Sequence, residues 1–267
     1  MEQPTAEQPL PNQPPSTIDV PFPDADALRL KIGVGACRLS IRPGDGPAWV
    51  AGTYTDSTGS LPCRITQEGG SVSLTQNTDM ADIRRLFHEV PAFDLSLGSA
   101  RPYQLTIETG ASDSHLDLGG LPIGDLTLHI GAGKVVIDFS APNTQGMGRI
   151  MLTAGAASIE VLNIANSGAA ELRAEGGAAG FTFDFGGALQ RDMSASITTG
   201  MSGVSVRVPG TTAARITPSS VLGGVSVGDG FVSRDGAFWT PAAVAEAAPA
   251  LSVHASVTFG GLTLELS

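Results

Sequence analysis

Along most of this chain apolar and polar residues alternate in short bursts, and each burst runs into a glycine. Five segments superpose on that glycine: Leu105–Ala111 (LTIETGA), Leu126–Ala132 (LTLHIGA), Ile150–Ala156 (IMLTAGA), Leu172–Gly176 (LRAEG) and Ile197–Gly200 (ITTG). Alternation then resumes in His115–Leu118, Val135–Phe139, Ser158–Leu162, Phe181–Phe185 and Val204–Val208. A period of two is the mark of a strand with one buried face. The glycines at 110, 131, 155, 176 and 200 are 21, 24, 21 and 24 residues apart, the spacing of a stacked repeat. One strand pair cannot bury its apolar face, but neighbouring pairs piled on it can, and the alanines after the glycines let adjacent turns approach. The alternating step suggests a unit of two strand pairs. Leu30–Ile41 (LKIGVGACRLSI) and Val253–Leu266 (VHASVTFGGLTLEL) echo the pattern at the two ends.

Three stretches depart from it. Residues 1–23 are rich in Pro and Gln and nearly free of large apolar residues before Val20, so an extended tail is expected there, with a single β domain over 24–267. Residues 79–89 place Met80, Ile83, Leu86 and Phe87 at helical spacing behind Asp79, a cap residue; the spacing predicts a short helix covering an open end of the stack. Residues 241–250 read as a further turn or two of helix or as a loop.

With 34 glycines and 5% aromatic residues, the core has to come from Val, Ile, Leu and Ala. The formal charge of −11 repels phosphate backbones and anionic lipid, which argues against nucleic acid as a partner. The two cysteines, Cys37 and Cys63, exclude a disulfide-dense scaffold; they read as buried thiols, and whether they are bridged is left open. No run reaches the ~18 consecutive apolar residues of a membrane span, and the start lacks a signal-peptide pattern. The chain as written is therefore expected in the cytoplasm, with envelope association through a partner left open.

The pattern from Leu30 to Ile41, the Phe93–Ile107 approach to the first main repeat (FDLSLGSARPYQLTI), the succession of glycine turns and the Val206–Ile216 segment (VRVPGTTAARI) resemble a toastrack domain. Such domains occur in candidate bacterial adhesins and in LiaF-type proteins of the cell-envelope stress response. The resemblance runs from about Leu28 to Leu266. It implies a right-handed β-solenoid, no enzymatic activity and no catalytic residues.

The chemistry sought in the residues is not assembled by the sequence. Gly131-Ala-Gly133-Lys134 ends like a phosphate loop, but Leu128 stands where a glycine is needed and Val135 where Ser or Thr is needed. His115, Asp117 and His129 could hold zinc only if stacking aligned them, and no third histidine or cysteine has matching spacing. Asp117 and Asp138 each lie seven residues beyond their glycine, yet Leu162 breaks the series and no calcium nonapeptide is present. Trp49, Tyr54 and Trp239 are the aromatics that could stack sugars, or else fill the core. No catalytic, cofactor or metal residues are assigned, and no cofactor is expected. The expected role is a non-enzymatic interaction scaffold with protein partners, and homo-oligomerisation through solenoid edges is left open. An adhesin or carbohydrate-binding module stands second, and a polysaccharide-active enzyme on a β-helix third.

Overall fold

The computed structural model describes residues 15–56, 61–76, 90–246 and 249–267. These form an all-β sheet system with one short α-helix. The first strands are β1 (Ser16–Pro21), β2 (Arg29–Gly44), β3 (Ala48–Thr55), β4 (Cys63–Glu68), β5 (Ser71–Gln76) and β6 (Ala92–Gly98). The central ones are β7 (Tyr103–Asp117), β8 (Ile123–Asp138), β9 (Arg149–Leu162), β10 (Glu171–Gly176), β11 (Gly180–Asp184), β12 (Met193–Met201) and β13 (Val204–Val208). The last are β14 (Ala214–Val227), β15 (Val232–Arg234), β16 (Ala237–Trp239) and β17 (Leu251–Leu266), with α1 (Pro241–Glu246) between the final two.

The long strands are bent in the middle, and the bend follows from a slip in the alternation. In β7 the buried positions are Leu105, Ile107 and Thr109 on the first arm, then Ser112, Ser114 and Leu116 on the second. Two consecutive residues, Gly110 and Ala111, point outward between them. The same slip occurs at Gly35–Ala36, Gly155–Ala156 and Gly177–Ala178. A strand that shows two neighbours to the same side has turned a corner, so both arms now face one interior. That interior is a continuous aliphatic core reaching from Ile18 to Leu264.

Bent strands pile up in parallel register. Ala111 lies beside Ala132, and Ala132 beside Ala156. β9 is followed by β10 and β11 as the two arms of one rung, then by β12 and β13. At the corner a column of glycines results, and its spacing corrects the reading from sequence. Gly176 lies beside Ala154, so Gly177 continues the column, and the steps along it become 21, 24, 22 and 23 residues. A Cβ on Gly131 would stand 2.5 Å from the Gly110 carbonyl oxygen, and one on Gly155 would stand 2.6 Å from that of Gly131. Glycine is required there because the rungs touch backbone to backbone.

At both ends the pile departs from chain order. β2 lies between the rung made by β5 and β6 and the rung made by β7. β17 likewise lies between the β12–β13 rung and β14. At the first end the penultimate strand β2 precedes the outermost rung in the chain, and at the far end the penultimate strand β17 follows it. The described rungs number nine, about 38 Å of stacked strands at the usual inter-strand spacing.

The tail expected over 1–23 is corrected in part. Residues 16–21 form β1, which pairs antiparallel with β3 and buries Ile18 and Val20. Their alternation with Thr17 and Asp19 suffices once β3 offers an edge. β3 covers β6 and β4 covers β5, both antiparallel, so these strands close the first end of the pile. The helix expected over 79–89 lies outside the described residues. α1 falls within 241–250, with the Thr240 hydroxyl accepting from the Ala243 amide and Ala243 fully buried. No described helix is long and apolar enough to cross a membrane.

Candidate functional site

The outward sides of the rungs are largely polar, and two of the depressions on them follow the corner. One, of about 620 Å³, is floored by Gly35, Gly110 and Gly131 and walled by Thr75, Glu108 and His129. A second, of about 450 Å³, continues past Thr153 over Gly177 and Gly200 between Glu175 and Thr198. Thr153 belongs to both, so a groove follows the glycine column along the pile. The missing side chains of the column make the groove, since a larger residue would fill its floor. Lys31 and Glu108 form an ion pair at 2.8 Å on its rim, both well exposed. The outer face of the second arm carries a separate depression of about 430 Å³ between Lys134, Glu160 and Thr182.

The residues singled out in the sequence are not brought together. His115 and His129 are both exposed but on different arms, beside Val136 and Glu108 respectively, and no metal-binding cluster occurs among the described residues. Gly133 and Lys134 lie inside β8, where Gly133 has φ of 113° and a Cβ would stand 2.0 Å from the Ser112 carbonyl oxygen. No helix begins there to receive a phosphate.

Asp117 and Asp138 lie side by side at the ends of their strands and act as turn acceptors. Asp117 accepts from the Gly119 amide at 3.0 Å and the Ser140 hydroxyl at 2.6 Å; Asp138 accepts from Asn163 at 2.8 Å. Asp184 repeats the motif, accepting from the Gly186 amide at 2.8 Å.

Two of the three aromatics are interior. Trp49 is fully buried, stacked on Phe22 with centroids 5.5 Å apart and edge-on to Tyr103. Tyr54 is buried on Phe93 at 4.3 Å, donates its hydroxyl to the Leu61 carbonyl, and accepts from Gln76 at 3.3 Å. Burial pushes the Tyr54 phenol up to about 12. Trp239 is half-buried, with the guanidinium groups of Arg215 and Arg234 at 6.0 and 5.7 Å from its ring centroid. Those cations occupy the surroundings a sugar ring would need. Cys37 and Cys63 are free thiols, buried and half-buried; burial pushes the first up to about 12 and the second to about 11.

The groove residues Thr75, Thr153 and Thr198 were not singled out from sequence. The available signal was their place two residues before or beside each corner, on the outward phase of the alternation. A different feature also escaped notice, the outward row Met201, Phe259 and Leu222 on three adjacent strands.

The model of the family described as the N-terminal domain of toast_rack, DUF2154, matches residues 8–162, more than half of the chain. Among solved structures the chain is similar to a candidate cell adhesion protein from Clostridium sporogenes. That match has 13% identity and a TM-score of 0.49, covering 95% of this chain and 99% of that one. It is also similar to a candidate adhesin from Bacteroides fragilis at 9% identity and a TM-score of 0.42, covering 96% and 99%. No curated protein matches it.

Proposed function

The chain belongs to the toast_rack N-terminal domain family, and on that premise we propose that it is a non-enzymatic interaction scaffold built as a right-handed β-solenoid. The observation that carries the reading is the pair of depressions along the glycine column, which meet at Thr153 over rungs stacked in register. A rigid, repetitive surface of this length suits an extended segment of another protein, because each rung offers the same backbone spacing to the next residues of the ligand. Rows of Thr with scattered Glu and His give hydrogen bonding without a strong field of one sign. The resemblance of the sequence to LiaF-type proteins supports, as part of this proposal, a partner from the bacterial cell-envelope stress response.

The test is crosslinking with mass spectrometry on the full chain and on a Thr153→Arg, Thr198→Arg variant that fills the groove. Crosslinks to a partner that map to the first arms and vanish in the variant support the reading. A partner that crosslinks equally to both proteins, or no partner at all, overturns it. The carbohydrate-binding alternative rests on Trp239 alone, and a glycan array without binding removes it.

A further inference from the structure

The first arms of β10, β12, β17 and β14 lie side by side in that order, and two outward rows cross them. The row farther from the corner runs from Glu171 over Ser194 and Ser252 to Arg215. In the row nearer the corner, Ser196 of β12 lies between Arg173 of β10 and His254 of β17. Serine is short, so the middle of the face lies low between taller outer strands. A trough of about 300 Å³ opens there, with Glu171 on one wall, Arg215 on the other and His254 on the side toward the corner. The walls stand three strand spacings apart, about 14 Å.

The two walls differ in their free charge. Glu171 is neutralised by Arg173, with nitrogen and oxygen 2.5 Å apart. Arg215 has no such partner. Among the described residues it forms neither an ion pair nor a side-chain hydrogen bond, and its guanidinium rests against Trp239. Arg234, also without an ion pair, lies against the same indole. Carboxylates outnumber Lys and Arg by 11 in this chain, yet none of those described meets either guanidinium. A guanidinium offers a fork of donors and no acceptor, and a carboxylate is the group that matches the fork. One negative charge suits the trough better than the two of a phosphate, because Glu171 stands in the same row as Arg215.

The trough also opens toward the groove. Thr198, on the groove wall, lies two residues from Ser196 on the outward side of β12. A segment lying over the glycine column can therefore leave it across Ser196, between Arg173 and His254. We propose that the trough receives the carboxyl terminus of an extended polypeptide. The terminal carboxylate sits on the Arg215 guanidinium, and the last peptide groups lie over the hydroxyls of Ser196 and Ser252. The polypeptide as occupant rests on the groove reading, whereas the carboxylate rests on the residues of the trough itself. Capture of a chain end in this way reads the terminus and tolerates varied side chains.

NMR titration of the full chain with N-acetyl-trialanine, and with the same peptide amidated at its carboxyl end, tests the proposal. The acid should shift the His254 ring resonances saturably in the millimolar range, and the amide should bind about tenfold more weakly. Arg215→Gln should weaken the acid by about the same factor and leave the amide unchanged. Should that variant misfold, Ser252→Asp supplies the same test, since it keeps Arg215 on its indole and sets a carboxylate beside it. Arg64→Gln, which removes an exposed cation on β4 at the opposite end, should bind the acid as the wild type does. Equal binding of acid and amide, undiminished binding of the acid by both trough variants, or tighter binding of free alanine than of the tripeptide overturns the proposal. The groove reading fails separately. It falls if the acid binds while no partner crosslinks to the first arms, and it stands if crosslinks persist while acid and amide bind alike.

Discussion

The Asn143 amide donates to the Asn166 carbonyl at 2.7 Å, which joins the connections that follow β8 and β9, one rung apart. Each also ties a loop with its buried side chain. Asn143 donates to the Ile123 carbonyl at 2.9 Å and accepts from the Gln145 amide; Asn166 donates to the Phe139 carbonyl at 2.8 Å and accepts from the Ala188 amide at 2.9 Å. Loops cannot form a strand ladder, so a buried amide that both donates and accepts takes its place. The arms are thus held by backbone pairing and the return loops by asparagine.

Removing that amide should therefore cost more than its size suggests. Asn166→Ala leaves the Phe139 carbonyl and the Ala188 amide without their partner, and a loss of about 1–3 kcal/mol is expected. Ser140→Ala, which removes one hydrogen bond to Asp117 at an exposed site, should fall within about 0.5 kcal/mol of wild type. Urea denaturation of the three proteins checks the ranking, and equal midpoints would contradict it.

The glycine column makes a sharper comparison, because two of its members differ in the space above them. A Cβ on Gly131 would stand 2.5 Å from the Gly110 carbonyl oxygen, while one on Gly177 would stand 3.5 Å from that of Gly155. Neither has a positive φ, so only packing distinguishes them. Gly131→Ala forces two rungs apart and should destabilise by about 1–3 kcal/mol. Gly177→Ala meets an ordinary van der Waals contact and should be nearly neutral. Thermal unfolding of both variants reads the difference; equal losses would mean that the column is not close-packed.

Burial of Cys37 predicts a pH dependence with a definite sign. Its thiol is raised from 9.0 to about 12 by desolvation, so the fold favours the protonated form. The contribution is complete below pH 9.0 and is lost as the pH rises through that window toward about 12. Cys37→Val removes the titrating group, and its stability should fall less steeply over the same range. The thiolate is the nucleophile, so Cys63, less raised and half-buried, should be alkylated before Cys37. Urea midpoints against pH and mass-spectrometric alkylation rates measure the two effects. Faster labelling of Cys37 would refute the assignment.

The repeat was legible in the sequence because its two signals are local. Alternation such as Leu126, Leu128 and Ile130 reports one buried face, and the glycine at the corner reports close approach. Where two glycines are adjacent, as at Gly176 and Gly177, the pattern cannot say which of them stacks, and the register must decide. The places of β2 and β17 were not legible for a different reason. A rung paired on both edges carries the same alternation whichever rungs flank it, and hydrogen bonds between backbones leave no trace in side-chain type. The strand Ser16–Pro21 was hidden by the prolines around it, which composition weighs more heavily than the two buried positions Ile18 and Val20. Asp117 and Asp138 were visible as a spaced pair, but the same spacing serves turn acceptors at strand ends. The groove was the least legible part, since Thr75, Thr153 and Thr198 are indistinguishable in type from any other outward threonine.

The placement of β17 between β12–β13 and β14 leads to the last expectation. In a pile built in chain order, removing the final strand would strip only the outermost rung. Here β17 pairs with β12, β13 and β14, so its loss takes away the only described ladder joining β14 to the body of the pile. β15 and β16 are attached through β14, and α1 packs against it, so they should go with it. Truncation before Leu251 should therefore leave 209–250 open to proteolysis while β7 to β9 stay protected, each still paired on both sides. Limited proteolysis with mass spectrometry distinguishes the two architectures. Survival of β14–β16 as a protected fragment after the truncation would show that the end of the pile is held by something other than β17.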